Sequence, residues 1–402
     1  MGSEPGMGWN WIVNLARHCE LFVISEGEFR EQCEEWCKNH PAVGHYIHWF
    51  WNPVLQSTRD KCWNQGDWSF YPLYKKWQRK TADIAREICK NEDIDILHQL
   101  NMIGFREPGF LWQVSRETGV PFIWGPINAK ESFPTSYLQG APLKSRLFIY
   151  LKNFISKHQL SSDRRVHASA KVASFVIAAS GDSAKSIKKY LNVSPILINE
   201  SGSNPEEIVI HPKCENAIFN LLWVGRFIFT KQLTLALRTL SEASNNNIRL
   251  HIVGGALEEE EYFKLEAQKL GIKNQCIWYE KVSHQKVQKL MQQSDILFFT
   301  SIAEGTPHVV LEALNNRLPV LCFDTCGQGD CVTNEVGIKI PLTNPKESVK
   351  EFALKLNFLF NNRDVLKMMS KRCGERIKQL TWDKKALQIL ELYKLAASKS
   401  IE

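Results

Sequence analysis

Short apolar runs alternate with stretches of helical spacing along most of the chain, and the clearest instance is ILFFTSIAEGTPHVVLEAL, residues 296–314. Residues 296–301 combine β-formers with no helical spacing and predict a buried strand. A turn is expected at Ala303-Glu304-Gly305. Thr306 then stands at a helix N-cap position and Pro307 at the first helical position. Val309, Val310, Ala313 and Leu314 continue at helical spacing. A parallel-type strand is thus expected to deliver its C-terminal end into a helix N-terminus.

The same alternation runs through the second half. Strands are predicted at 219–224, 249–253, 275–279, 296–301 and 320–323, with helices at 231–244, 258–270 and 284–292. This is the pattern of a parallel α/β domain. The first half gives strands at 21–25, 94–99 (ending at His98), 121–124, 175–179 and 196–199. Helices are predicted at 9–17, 106–117 and 182–191, and Gly125-Pro126 reads as a turn. Residues 26–92 hold polar helices and aromatic loops without a clear order. SGSNPEE, residues 201–207, reads as a linker, and 349–399 is helical in pattern.

A doubly wound domain opens on a strand, followed by a Gly-rich turn and a helix. Here GSEPGMGW, with Gly2, Gly6 and Gly8, reads as that turn, and no strand precedes it. The expectation is two domains of one type, with the first strand of the N-terminal sheet missing.

Composition narrows the class. A length of 402 residues suits two domains, and 44% hydrophobic content is ordinary for a globular protein. The net charge of +7 suits anionic small molecules or an acidic lipid surface, and no nucleic-acid motif is present. The 11 cysteines lack the paired C-x2-C spacing of a zinc site. They are expected to be reduced and mostly buried, which places the protein in a cytosol. No apolar run reaches transmembrane length, and the N-terminus lacks a basic, apolar leader or a myristoylation pattern.

Residues 144–171 stand out, with seven Lys or Arg and one acid, Asp163. Leu147, Phe148, Leu151, Phe154 and Ile155 interleave with the cations. Such a segment is either an amphipathic helix packed on its own sheet or a basic, aromatic face resting on a membrane.

Chemistry gathers at the strand ends. The start of a helix attracts anions, phosphate above all. Glu304 precedes the helix expected after Gly305, and Glu312 lies within it. The six residues from Thr306 to Glu312 rise about 9 Å, too far for two acids to share a proton. They suit two ends of one long ligand, or else are a loop acid and a solvated helix residue. Arg226 and Lys231 follow the strand that ends at Gly225. A guanidinium and an ammonium at that edge suit a diphosphate, the alternative being plain surface charge. Asp93-Ile94-Asp95 matches a metal-binding D-x-D but precedes its strand, so it reads as solvated loop. Gly254-Gly255 lacks the third glycine of a dinucleotide fingerprint.

GRF-x3-K (225–231), IVGG (252–255), EGTPHVVLEAL (304–314) and LTWDKKA (380–386) resemble the donor domain of glycosyltransferase family 4. GSEPGMGWNW, DILHQLNMIGFREPGFLW and FIWGPINA are similar to a bacterial subgroup that builds surface polysaccharides. The resemblance implies the GT-B fold, two Rossmann-like doubly wound domains facing a cleft. Residues 1–200 would form the acceptor side and 201–380 the donor side, with 381–402 a helix crossing back to the first domain. It implies a retaining, metal-independent transfer from a nucleotide-diphosphate sugar, with no cofactor, to a saccharide or lipid-linked acceptor. The setting would be the cytoplasm, at the inner face of the plasma membrane.

Position by position, Glu304 resembles the acid that holds the donor sugar's hydroxyls, and Glu312 the one that holds the ribose. Arg226 and Lys231, after Gly225, resemble the diphosphate clamp, and His98 the histidine that contacts the transferred sugar. The backbone of Gly305, Thr306, Pro307 and His308 would meet the phosphates, with Gly6 and Gly8 in a loop closing over them. Two alternatives share the architecture: a sugar-nucleotide epimerase, and an inactive or truncated partner subunit.

Overall fold

The computed structural model describes residues 4–63, 69–130, 132–138, 143–204, 217–255 and 257–398. The chain forms two units. Unit 1 holds Met1–Glu131, Phe154–Glu200 and Trp382–Glu402; unit 2 holds Ser132–Asn153 and Ser201–Thr381. Of the segment read as a linker, residues 205–207 lie outside the described residues, as does Gly2.

The strands, in chain order, are β1 (Leu21–Ser25), β2 (Ile47–Trp51), β3 (Leu97–Gln99), β4 (Phe122–Ile127), β5 (Phe175–Ala178) and β6 (Ile196–Leu197), then β7 (Phe219–Val224), β8 (Ile248–Val253), β9 (Cys276–Tyr279), β10 (Ile296–Phe299), β11 (Val320–Phe323) and β12 (Gly337–Ile340). In unit 2 six strands form one sheet in the order β12-β11-β10-β7-β8-β9, and every pairing is parallel. Its strands read as continuous apolar runs because both faces are covered. Period-two alternation divides each run between two cores. Phe219, Leu221, Trp223, Ile296 and Phe298 enter one, while Leu222, Leu297 and Phe299 enter the other. The chain's order along the sheet reverses between β7 and β10, which places the topological switch point there.

Unit 1 has two separate parallel pieces, β1-β2 and β3-β4-β5-β6. The opening helix spans Glu4–Leu15. This corrects the reading of Gly6 and Gly8 as loop residues: both are helical. Glycine costs a helix only about 1 kcal/mol relative to alanine, and burial outweighs that here. Met7, Trp11 and Leu15, at four-residue spacing, enter a core with Trp382, Ala386 and Ile389 of the closing helix Trp382–Ser398. The Asn10 side chain donates to the Gly6 carbonyl at 2.7 Å. Trp11 Nε1 donates to the Glu200 carbonyl at 3.0 Å, and Lys385 Nζ to the Asn199 carbonyl at 3.0 Å.

Strands 219–224 and 320–323 form where their patterns placed them. β4 runs on through Gly125-Pro126, which is therefore no turn. β3 starts three residues later than 94, and the helix expected from 106 spans Leu111–Thr118. β2 and β12 had no counterpart in the sequence reading. Residues 345–398 form three helices, Pro345–Asn361, Arg363–Gln379 and Trp382–Ser398. Nine cysteines among the described residues are free thiols, five of them buried. No described helix is long and apolar enough to cross a membrane.

The basic segment forms a helix, Leu143–Ser162, within which the division between the units falls. Its inward residues are largely polar. Asn153 exchanges hydrogen bonds with both backbone groups of Phe133. Ser156, buried with Leu160, accepts from Arg106. The apolar residues point the other way: Leu147, Phe148, Leu151 and Phe154 are 56–69% exposed. The polarity of an ordinary surface helix is reversed.

Candidate active site

Two loops of unit 2 meet at the switch point. One follows β7, runs through Gly225 and Arg226 and closes as a single turn, Phe229–Lys231. The other follows β10, which ends at Phe299, two residues earlier than its apolar run suggested. Residues past that end pin the loops together. Thr300 Oγ1 donates to the Lys231 carbonyl at 2.8 Å. Ile302 N donates to the Thr230 carbonyl at 3.0 Å, and Ser301 Oγ lies 3.1 Å from the same oxygen. Gly225 N donates to the Val253 carbonyl at 3.0 Å. Gly254, at φ +116°, brings its turn so close that a Cβ would fall 2.2 Å from the Gly225 carbonyl oxygen. Only glycine combines that φ with that approach.

Within this frame the Lys231 ammonium forms an ion pair with Glu304 Oε1. Ser301 Oγ donates to the same carboxylate oxygen at 2.6 Å. The ammonium also stands 5.5 Å from the centre of the Phe299 ring. Both charged side chains are 17% exposed, so they are partly desolvated yet open to a ligand. Arg226 is exposed and makes no ion pair among the described residues.

The helix after Glu304 spans His308–Asn315, with Pro307 at the N-cap position (φ −73°, ψ 118°) and no side-chain cap. Thr306 is therefore not the N-cap and Pro307 is not the first helical residue. Thr306 is buried, 5% exposed, and held from below. Gly327 N donates to the Gly305 carbonyl at 3.0 Å. A Cβ on Gly327 would lie 2.5 Å from that oxygen and 2.6 Å from Thr306 Cα. The short helix Cys326–Cys331 thus serves as a platform under the loop, and Gln328 Nε2 donates to the Ser301 carbonyl at 3.1 Å. Sequence reasoning missed Gly327 and Gln328; the one signal was a glycine-rich CGQG directly after β11. His308 Nε2 lies 3.4 Å from Ser201 Oγ.

Glu312 is a third exposed and lies 3.4 Å from His284 Nε2. The two acids have separate partners, in keeping with their spacing.

The remaining residues belong to unit 1. His98 has both ring nitrogens engaged, Nε2 at 2.6 Å from the Gly125 carbonyl and Nδ1 at 2.6 Å from the Tyr393 hydroxyl. A carbonyl only accepts, so Nε2 carries the proton and Nδ1 accepts from Tyr393. Burial lowers the His98 pKa from 6.5 to about 4, and pushes the Tyr393 hydroxyl upward. In this arrangement His98 has no free nitrogen for a sugar. Asp93 and Asp95 are exposed ahead of β3, at the edge opposite the strand ends where ligands bind.

Residues 212–379 match the family model for glycosyl transferases group 1. The chain carries a group 1 glycosyltransferase domain. That domain contains Lys231, Glu304 and the helix His308–Asn315. The chain is 27% identical over 170 residues to lipopolysaccharide 1,6-galactosyltransferase of Escherichia coli, covering 41% of this chain and 45% of the relative. An uncharacterized glycosyltransferase of Methanocaldococcus jannaschii is 22% identical over 177 residues, 44% of this chain and 45% of the relative. The chain thus matches just under half the length of these curated relatives.

Among solved structures, the lipopolysaccharide outer core galactosyltransferase WaaB, in its apo form, aligns with TM-score 0.63 at 16% identity over 93% of this chain and 98% of that one. A glycosyltransferase from Rickettsia africae aligns with TM-score 0.63 at 14% identity, over 98% and 96%. The Anabaena protein HepE, in complex with UDP, aligns with TM-score 0.60 at 15% identity over 98% of both. The likeness extends beyond the group 1 domain and gives the whole chain the GT-B fold.

Proposed function

We propose that the protein transfers a sugar, with retention, from a nucleotide-diphosphate sugar to a saccharide or lipid-linked acceptor in the synthesis of bacterial surface polysaccharide. The observation that carries this reading is the meeting of Lys231 and Glu304 at the switch point of the unit 2 sheet, beside the start of the His308–Asn315 helix. Open parallel sheets bind ligands at that place. The relatives add support: one is named a galactosyltransferase, and one similar fold was solved with UDP.

In this reading the diphosphate lies against the backbone N–H groups of residues 305–308, with Lys231 and Arg226 as its counter-charges. Glu304 holds hydroxyls of the donor sugar and Glu312 those of the ribose. The bond between the sugar's anomeric carbon and the diphosphate oxygen breaks while a bond to the acceptor oxygen forms on the same face. The acceptor's proton passes to the departing diphosphate oxygen. The protein contributes orientation and stabilisation of the charge that develops on the leaving group. His98 serves as a sugar contact only after releasing Gly125 or Tyr393. The exposed apolar and basic face of the Leu143–Ser162 helix suits an acceptor presented at a lipid surface.

The test is a thermal-shift screen with UDP-, GDP-, ADP- and dTDP-sugars, followed by product analysis with and without an acceptor saccharide. A melting point that rises with one nucleotide sugar, and a glycoside formed only with acceptor, are expected. An epimerised donor formed without acceptor would instead select the epimerase reading. Lys231→Ala is expected to lower turnover several hundredfold, the effect of removing one donor worth about 3 kcal/mol. Turnover is expected to persist in EDTA. Undiminished turnover in Lys231→Ala would remove the basis of the scheme.

A further inference from the structure

The loop that carries Lys231 is held unevenly. Its two ends are fixed within unit 2. At the start, Phe227 is 7% exposed, its ring 5.3 Å from that of Phe263. A Cβ on Gly255 would fall 2.2 Å from Phe227 Cδ2. At the end, Ile302 N and Thr300 Oγ1 hold the carbonyls of Thr230 and Lys231. The crown between these ends is open. Ile228 and Phe229 are 39% and 45% exposed, and the single turn Phe229–Lys231 has no side-chain cap. Lys231 N donates to the Ile228 carbonyl at 3.0 Å and Gln232 N to the Phe229 carbonyl at 3.2 Å. Hydrogen bonds of so tight a turn are poorly aligned and stiffen it little.

A ring from a distant part of the sequence meets that crown. Phe133 and Phe229 have ring centres 6.1 Å apart at 37°, within the range of favourable aromatic pairs. Phe133 lies in Ser132–Asn153, the early segment that belongs to unit 2, and it is itself firmly placed. It packs against the core that contains Phe219 and Trp223. Four residues on, Tyr137 is buried, its ring 5.8 Å from that of Phe323 and its hydroxyl 2.7 Å from Ser348 Oγ. Ser136 Oγ donates to the Thr343 carbonyl at 2.9 Å. The Phe133 backbone is gripped by the Leu143–Ser162 helix: its N–H donates to Asn153 Oδ1 at 2.8 Å, and Asn153 Nδ2 donates to its carbonyl at 2.9 Å. That double grip uses both halves of a side-chain amide; an ionised aspartate would keep the acceptor and lose the donor.

We infer that Phe133, set in place by Asn153, is a positioning residue for Lys231: its ring steadies Phe229 and with it the turn whose last residue is the lysine. The inference rests on the reading of Lys231 as counter-charge to the diphosphate. Neither Phe133 nor Asn153 contacts the donor in that reading; both act through the turn. The leverage is geometric. The Lys231 ammonium has to stand beside Glu304 and the start of the His308–Asn315 helix together, and a misplacement of about 1 Å can lower a rate about a hundredfold.

Hydrogen exchange on the full chain, without nucleotide sugar, reads the turn directly. Phe133→Ala is expected to speed exchange of the Lys231 and Gln232 amides about tenfold while leaving β7 and β10 unchanged. Asn153→Asp is expected to give the same pattern more weakly, and Phe133→Leu, which keeps an apolar contact, to stay near wild type. In a Phe229→Ala background the effect of Phe133→Ala is expected to vanish, because the two rings act on each other. With the nucleotide sugar that binds, Phe133→Ala is expected to lower kcat about tenfold and to change KM less. Unchanged exchange at Lys231 and Gln232, equal acceleration throughout unit 2, or the full effect persisting beside Phe229→Ala would overturn the inference. Absence of transfer by the wild type, with the exchange pattern as expected, would instead overturn the transferase reading and leave the support of the turn by Phe133 standing.

Discussion

Lys231 and Glu304 come from different strand ends and neutralise one another. That pairing limits the penalty of partly burying either charge, and it holds both groups at the switch point, where open parallel sheets bind ligands. His98 shows the opposite use of a polar side chain, inward, with a proton fixed between Gly125 and Tyr393. Its folded pKa, lowered from 6.5 to about 4, has a direct consequence for stability. Above pH 6.5 the ring is neutral in both states and its contribution is fully present. As pH falls toward 4 the unfolded chain binds a proton that the folded chain refuses, and stability drops. The loss across that window is on the order of 3 kcal/mol. Denaturant unfolding at pH 7 and pH 4.5, followed in wild type and His98→Gln, measures it. The variant is expected to lose less stability between the two pH values; an identical loss would assign the effect to other groups.

At the scale of elements, the Leu143–Ser162 helix makes a separable prediction. Replacing Leu147, Phe148, Leu151 and Phe154 by serine removes four exposed apolar groups and is expected to leave the melting point nearly unchanged. Sedimentation with phosphatidylglycerol vesicles is expected to fall at least about tenfold, since each inserted Leu or Phe is worth roughly 1.5–3 kcal/mol. A large drop in melting point, or undiminished sedimentation, would show that these residues serve another purpose. This helix also marks the limit of sequence reading. Its pattern was legible, but which side faces out depends on what covers it, and spacing carries no such information. β7 and β11 were legible because buried parallel strands are continuous apolar runs. β2, with sequence IHWFW, was not, since a histidine among aromatics fits loop and strand alike. Thr306 and Pro307 carried a sound local signal for a helix start one residue too early; the platform at Gly327 lies twenty residues on and decides the turn. Lys231 and Glu304 were each legible as site candidates because both follow strand ends at one edge; their mutual ion pair was not. The glycine content at Gly6 and Gly8 suggests a loop, but the buried spacing of Met7, Trp11 and Leu15 makes a helix.

For the whole molecule, the two units are interleaved in sequence. Unit 2 ends at Thr381, and unit 1 takes its last helix from the segment after it. That helix brings Trp382 against Trp11, with ring centres 5.4 Å apart, and buries Lys385, 3% exposed, over Asn199. Domains commonly fold in the order in which they are synthesised, and the division of the units predicts the inverse order here. A nascent chain has everything unit 2 requires once Thr381 has left the ribosome, while the half made first still waits for its final segment. Ribosome-bound chains extended by a neutral linker after Thr381 should resist protease in unit 2 and be cut in unit 1. Equal resistance would mean that the opening half closes without its last helix; otherwise the earliest-made half spends longest in need of a chaperone.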